Sequence, residues 1–478
     1  MAVNRELTVR DVLQQIKDDE IEFVDLKFVD LLGGLQHITF AADTLDEGAF
    51  ARGLNFDGSS VRGFQAIAES DLLMRPDPAT LFRDPFHDEP TLSMFCDIID
   101  PKGHKSYSRD PRGVARRAET LLQSIGLGDV AYFGLEIEFY VFDDVRFDSA
   151  TQHAFYFVNG ENAFWNTGQG GKPNLGHRVG QKGGYFAAPP KDAFHNLRSK
   201  MCKVLRSLGV QPELHHHEVG GAGQNEIGIR FDSLIKSADN AIKFKYAIKN
   251  TATRYGKTAT FMPKPLFQEA GSGMHHNVSI WKGGKNTFYE SGGYADLSRT
   301  ALHFIAGILK HAPAICAFAS PSTNSYRRLV PGYEAPVNLV YSNRNRSACV
   351  RIPFTGANRN AKRIEFRTPD PTANPYLSCA AVLLAGIDGV INETEIPDPV
   401  DKDIFKFATS EHGKHLQAVP SSLSEALDAL ETDHEFLLRG EVFTMDLIHT
   451  WLKWKRDREI DHVALRPHPS EFELYFDA

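Results

Sequence analysis

One stretch constrains this chain more than any other: Tyr132–Tyr140, which reads Tyr-Phe-Gly-Leu-Glu-Ile-Glu-Phe-Tyr. The aromatic and aliphatic residues around Glu136 and Glu138 predict a buried strand. Residues i and i+2 of a strand leave the same face, so the two carboxylates would stand side by side in an otherwise apolar element. Adjacent like charges in a low-dielectric setting are unfavourable unless something neutralises them. One or two divalent cations would do so, because hard cations take carboxylate oxygens. The competing expectation is a solvated strand face paired with Lys or Arg.

The rest of the chain sets the frame for that strand. At about 100–200 residues per domain, 478 residues predict two to four domains, and 42% hydrophobic with 24% charged residues is the composition of a soluble globular protein. A net charge of −8 argues against a general nucleic-acid surface. No uninterrupted apolar run approaches the ~20 residues of a membrane span, and Met1–Leu7 has no apolar signal core. The five cysteines are odd in number, widely spaced and without a C-x-x-C pair. That pattern fits a reducing compartment, the cytoplasm by default, and argues against a disulfide framework or a zinc site.

Thr8 and Asp11 form a capping box ahead of a helix. A hairpin follows, from Glu22–Asp30 through Gly33-Gly34 to Leu35–Phe40, and Leu92–Ile99 reads as a further strand. Pro101-Lys102-Gly103 marks a boundary, dividing the chain into residues 1–105 and 106–478. Phe56-Asp57-Gly58-Ser59-Ser60, taken alone, is an ordinary turn. Arg109–Ser124 is predicted as a helix, residues 146–180 as a long polar loop and Lys191–Leu208 as a helix.

Glu218 and Glu226 bracket a glycine-rich turn, so a hairpin would bring them to one site. His215, His216 and His217 alternate faces and cannot all reach one metal, which leaves most of them structural. Gly271-Ser-Gly-Met-His275 suits a backbone that closely approaches a ligand. A helix is expected over Leu297–His311, and a capping box over Ser422–Glu425. Arg328, Arg346 and Arg351 come in sequence before Arg363, Glu365 and Arg367, which alternate on one strand face; clustered Arg with a carboxylate suits polyphosphate and carboxylate recognition as well as a surface ion-pair network. No phosphate-binding glycine loop of either standard kind is present.

Taken in order, these blocks resemble type I glutamine synthetase over nearly the whole chain. The specific pieces are Gly271-Ser-Gly-Met-His275, Arg328-Leu-Val-Pro-Gly-Tyr-Glu-Ala-Pro336, Asn345-Arg-Ser347 and Arg363-Ile-Glu-Phe-Arg367, together with the Asp57 turn. The resemblance implies an α+β protein, with a small β-grasp-like N-terminal domain and a larger catalytic α/β domain. It also implies a homo-dodecamer of two stacked hexameric rings, with active sites between neighbouring subunits.

The implied reaction joins ammonia to L-glutamate with ATP, through γ-glutamyl phosphate. The implied cofactors are two to three Mg²⁺ or Mn²⁺ ions per site. Glu138, Glu218 and Glu226 would hold one ion, and Glu136, His275 and Glu365 another. Arg346 and Arg351 would face the transferring phosphoryl group, while Arg328, Arg367 and the Gly271 backbone would hold glutamate. Glu213, Phe231, Asn277 and Ser279 would lie on the ATP side. Asp57 of a neighbouring subunit would bind ammonium and take its proton, and Glu334 would sit on a flap over the site.

Four positions depart from the family's usual pattern. Ala270 and Asn277 stand where Asn and His are usual, Asn360 stands at a common nucleotide-side Lys, and Phe405 stands at a tyrosine that is adenylylated in some members. Adenylylation is therefore expected to be absent. Two alternatives accompany the synthetase reading: a γ-glutamyl ligase using another amine such as a polyamine, and a non-catalytic homologue. Asp57 favours the first reading, because an ammonium-binding carboxylate is useful only when ammonium is the acceptor.

Overall fold

The computed structural model describes residues 7–170, 173–331, 335–356, 358–404, 408 and 415–478. Glu334 and Phe405 lie outside the described residues. The Thr8 capping box is present and opens the helix Val9–Asp18. The expected hairpin follows as β1 (Phe23–Val29) and β2 (Leu35–Ala41), and β1 also pairs parallel with β6 (Thr91–Asp100). Three further strands, β3 (Leu54–Asp57), β4 (Asp71–Pro76) and β5 (Phe82–Arg83), precede β6, and β7 (Lys105–Ser106) follows it. Together they form one sheet in the order β2-β1-β6-β4-β3, with β5 and β7 also on β6.

A second sheet is built around β8 (Val130–Phe142). Its other strands are β11 (Pro212–His217), β12 (Gln224–Ile229), β13 (Asp232–Ser233), β14 (Thr258–Thr260), β15 (Met274–Lys282), β16 (Lys285–Asn286), β17 (Tyr341–Asn343), β18 (Val350–Ile352) and β19 (Ile364–Phe366). The order is β11-β12-β8-β15-β19-β18-β17. Phe133, Leu135, Ile137 and Phe139 of β8 turn into the core, on the side of the helices Leu234–Arg254 and Pro111–Ser124. Burying each such large apolar side chain stabilises the fold by about 1.5–3 kcal/mol. The opposite face of β8, carrying Tyr132, Gly134, Glu136 and Glu138, stays half-buried. The strand is therefore amphipathic rather than buried on both faces.

One arginine pins the first sheet to the second. Arg112, on the helix Pro111–Ser124, donates to Asp77 (2.7 Å), Asp97 (2.5 Å) and Asp239 (3.0 Å). Tyr376 also donates its hydroxyl to Asp239 (2.5 Å). Asp77 and Asp97 belong to the small-sheet half, and Asp239 and Tyr376 to helices of the larger half.

Several expectations need correction. Within the predicted 146–180 loop, β9 (Asp144–Ala150) and β10 (His153–Asn159) form a hairpin, paired from Ala150↔His153 to Asp144↔Asn159. Most of its side chains face solvent on both sides, so it shows no apolar alternation. The helix expected over Lys191–Leu208 spans His195–Ser207, because Asp192 accepts from the Phe194 amide (3.2 Å) and the Arg198 guanidinium and holds the preceding residues out of the helix.

The helix expected to end at His311 runs through Pro313 to Ala319, because Ala314–Ala319 are buried in the core. By length and composition this helix is apolar enough to cross a membrane, yet most of it is packed inside the protein. Ser422 caps Glu425 N (3.2 Å), but the Glu425 carboxylate bonds the Ser421 amide and hydroxyl (2.8 Å each), so the capping box is displaced by one residue.

Candidate active site

The pairing register assembles the site. On the half-buried face, His216 stands opposite Glu226, and Glu226 opposite Glu138. One step along the strands, Gly228 faces Glu136 and Glu136 faces His275. One step further, Gly134 faces Asn277, Asn277 faces Glu365 and Glu365 faces Arg351. Directly opposed residues of antiparallel strands share a face, so register alone gathers these side chains. Glu218 joins them from the turn after β11, where its amide bonds the Gln224 carbonyl (3.0 Å).

Two groups of donors result. His275 Nδ1 lies 3.3 Å from Glu136 Oε2 and 3.7 Å from Glu365 Oε1. His216 Nδ1 lies 3.7 Å from Glu218, and its Nε2 lies 3.6 Å from Glu226. In each group one donor atom per residue falls within 4.8 Å of the others. That spacing suits ligands placed around one hard cation at about 2.0–2.6 Å. Glu138 lies between the groups, where Gly273 N (2.8 Å) and Gln224 Nε2 (3.3 Å) donate to its Oε2. A third such group, Asp25, Asp84 and His87, lies in the small-sheet half, where the Lys27 ammonium already supplies positive charge.

The electrostatics show the strain of so many carboxylates. Burial, and then the Glu218 charge, push Glu138 up to about 8. Burial and the charges of Glu138, Glu136 and Glu218 push Glu226 up to about 10. Burial opposes ionisation of Glu136 as well, but hydrogen bonds to His275 and Asn277 hold it at about 2. Burial and Arg367 lower the His275 imidazole. Glu365 is fully buried, and both Arg351 and Arg367 donate to it. The Nε atoms of these two arginines are buried without a partner. A donor set of carboxylates with one imidazole fits Mg²⁺ or Mn²⁺ better than zinc.

The two ends of the β8 face differ in chemistry. At one end Tyr132 packs edge-on against Phe231 (5.3 Å) and Trp281 (5.7 Å), and Trp281 Nε1 donates to Ser279 Oγ (3.1 Å). Beside this cluster Asn277 donates to Glu136 (2.9 Å) and accepts from Arg363 Nε (2.8 Å). At the other end the Tyr140 hydroxyl donates to the Ala270 carbonyl (2.6 Å), and Gln224 donates to the Gly271 carbonyl (3.0 Å). Here glycine is required by close approach. A Cβ on Gly271 would lie 2.7 Å from Arg328 Cγ, and one on Gly273 would lie 2.4 Å from His275 Nε2.

Arg328 is buried beneath this loop and donates to the Thr368 (2.7 Å) and Arg367 (3.0 Å) carbonyls. Arg346 reaches in from the loop after β17, with its Nη1 3.5 Å from the Tyr185 hydroxyl and its charge acted on by Glu365 and Glu136.

Not every expected residue joins the cluster. Asp57 is exposed and accepts from Ser59 N (2.9 Å), Ser59 Oγ (2.6 Å) and Ser60 Oγ (2.7 Å) of its own turn. Glu213 is exposed at the bulge between Pro212 and Leu214. Sequence reading did not single out His216 among three histidines, and Tyr185 and Trp281 near the site were given no role. Period-two spacing was the available signal, since His216 precedes Glu218 by two residues and Trp281 follows Ser279 by two.

Similarity to known proteins runs over nearly the whole chain. A family profile described as "Glutamine synthetase, beta-Grasp domain" matches residues 20–101, and one described as "Glutamine synthetase, catalytic domain" matches residues 108–475. The chain is 54% identical over 470 residues to a protein of Frankia alni named glutamine synthetase, covering 98% of each. It is 52% identical over 476 residues to one of Mycobacterium tuberculosis with the same name, covering 99% of each. Among solved structures it resembles a Plasmodium falciparum glutamine synthetase, with TM-score 0.90, 29% identity and 98% of each chain covered. It also resembles a GmaS/ADP complex, with TM-score 0.80, 28% identity, and 98% of this chain and 100% of that one covered.

Proposed function

The chain belongs to the glutamine synthetase family and is a glutamate–ammonia ligase, and on that premise we propose how its residues divide the work. Glu136, His275 and Glu365 hold one divalent cation, and Glu138, Glu218 and Glu226 hold another, with His216 alongside. The observation that carries this reading is the register that sets Glu226, Glu138, Glu136, His275 and Glu365 on one sheet face. Such cations, when bound, would supply the positive charge that offsets the charge developing in phosphoryl transfer.

The aromatic end of the face, with Phe231 and Ser279, receives the adenosine, and Asn277 and Glu213 belong to the ATP side. Arg346 and Arg351 face the transferring phosphoryl group. Arg328, Arg367 and the Gly271 backbone orient glutamate so that its γ-carboxylate attacks the γ-phosphorus of ATP. That step gives γ-glutamyl phosphate and releases ADP. Asp57 of a neighbouring subunit binds ammonium and takes its proton, because ammonium itself carries no lone pair. The resulting ammonia displaces phosphate and leaves glutamine.

The reading extends to a homo-dodecamer in two hexameric rings, with the small-sheet domain (1–105) of one subunit completing the site in the catalytic domain (106–478) of the next. Asp57 supports it, since among the described residues that carboxylate bonds its own turn. Exposed apolar residues on the β9–β10 hairpin (Phe147, Tyr156) and near the C-terminus (Leu465, Phe472, Phe476) support it as well. A cytoplasmic location fits five free, buried cysteines.

The test is phosphate release from ATP and glutamate, with ammonium compared against a panel of amines. Ammonium-dependent release that collapses in Asp57→Ala is the expected result. Turnover with an amine but not with ammonium would overturn the role given to Asp57.

A further inference from the structure

Arg346 sits on an irregular loop between two short strands. Between β17 and β18 the chain turns through Arg344 at φ 62°, in the left-handed region, and Arg346 is exposed. An exposed arginine on an irregular loop has many conformations open to it. This loop is nevertheless tied down, by a segment about 55 residues further along the sequence.

The Asp401 carboxylate accepts three hydrogen bonds on one oxygen: from the Ser342 hydroxyl (2.6 Å), the Asn343 amide (3.1 Å) and the Tyr294 hydroxyl (2.6 Å). Tyr294 also accepts from the Asn343 amide (2.9 Å). The next carbonyl, that of Lys402, accepts from Asn345 Nδ2 (2.6 Å). The other end of the Asn345 amide accepts from the Ser347 amide (3.0 Å) and hydroxyl (2.6 Å), which closes the turn around Arg346. Val400 N bonds the Tyr341 carbonyl (3.0 Å), and Ile404 packs with Val340 and Ala348 in a small core of its own. The 400–404 segment therefore grips both strand β17 and the turn that follows it.

We propose that Asp401, together with the Lys402 carbonyl, is a positioning residue that fixes the Asn343–Ser347 turn and so aims Arg346 at the phosphoryl-transfer site. This rests on the role given to Arg346 above. The tether acts on chemistry rather than on binding, because Arg346 is matched to charge that develops during transfer.

The experiment is a double-mutant cycle in the assembled enzyme, reading kcat and both KM values with saturating Mg²⁺. Asp401→Ala should lower kcat about ten- to a hundredfold, the scale set by a misplaced catalytic group, with KM for ATP and glutamate within about twofold. Asp401→Asn keeps an acceptor oxygen at the same place and should stay within about threefold of wild type. The Asp401→Ala/Arg346→Ala double variant should be no slower than Arg346→Ala alone, because the tether has nothing left to aim.

Tyr294→Phe combined with Asn345→Ala removes one bond from each half of the tether. It should lower kcat in the same sense, which keeps the question open to test if Asp401→Ala fails to assemble. Multiplicative losses in the double variant would overturn the proposal, as would wild-type kcat in Asp401→Ala when Arg346→Ala is slow. Wild-type kcat in Arg346→Ala would overturn the role of Arg346 itself, and the positioning proposal with it.

Discussion

Glu365 has the most demanding position of any residue in the site. It has no exposed surface, shares its carboxylate between Arg351 and Arg367, and lies beside His275. Glu365→Gln keeps the shape but leaves two buried guanidinium groups facing a neutral amide. We predict a loss of divalent-cation affinity of about a hundredfold or more, measured by calorimetric titration, and a matching loss of turnover. Gly273→Ala is smaller and equally informative. Its Cβ would lie 2.4 Å from His275 Nε2, so the ring must move. The variant should assemble normally, as read by size and circular dichroism, yet lose at least about tenfold in kcat.

At this scale Glu136 and Glu138 were legible because period two in a strand fixes a shared face. His216 was not, because three consecutive histidines look alike until pairing with Glu226 selects the middle one.

At the scale of elements, the pin between the two sheets carries the account. Arg112→Met would leave Asp77, Asp97 and Asp239 without their shared partner. Breaking a buried ion pair from one side costs about 3–5 kcal/mol, so the variant should unfold at markedly lower denaturant concentration. The pin also sets a pH dependence. Burial raises the Asp97 carboxyl, but Arg112 and Arg116 outweigh it and bring its pKa below the ordinary 3.8. A group depressed in the folded state contributes stability above its unfolded pKa and loses that contribution as pH falls through the folded value. Acid unfolding followed below about pH 4 should therefore show a shallower pH dependence in Arg112→Met than in wild type.

Elements that face a core were readable from their apolar periodicity, as β1, β2 and β6 were. The β9–β10 hairpin was hidden because both of its faces meet solvent. The length of the Arg299–Ala319 helix was hidden because burial of Ala314–Ala319 outweighs the interruption at Pro313.

At the scale of the whole molecule, the proposed sharing of the site between subunits makes a prediction that a self-contained active site does not. Asp57→Ala and Glu365→Gln should each be inactive in a uniform assembly. If Asp57 serves a neighbour's site, equal mixtures co-assembled from the two variants should regain about a quarter of wild-type activity, since random neighbours pair one intact Asp57 with one intact Glu365 at that frequency. No recovery would place Asp57 and Glu365 in the same subunit's chemistry.

The central claim is nevertheless that strand register builds two cation sites on one sheet face. Its most direct test is Mn²⁺ binding followed by electron paramagnetic resonance, in wild type, Glu226→Gln and Glu365→Gln. The account predicts two tight ions per chain in wild type and one in each variant, a different one in each, with the Glu226 variant keeping the ion beside His275. Loss of both ions from either single variant, or retention of both in either, would contradict it.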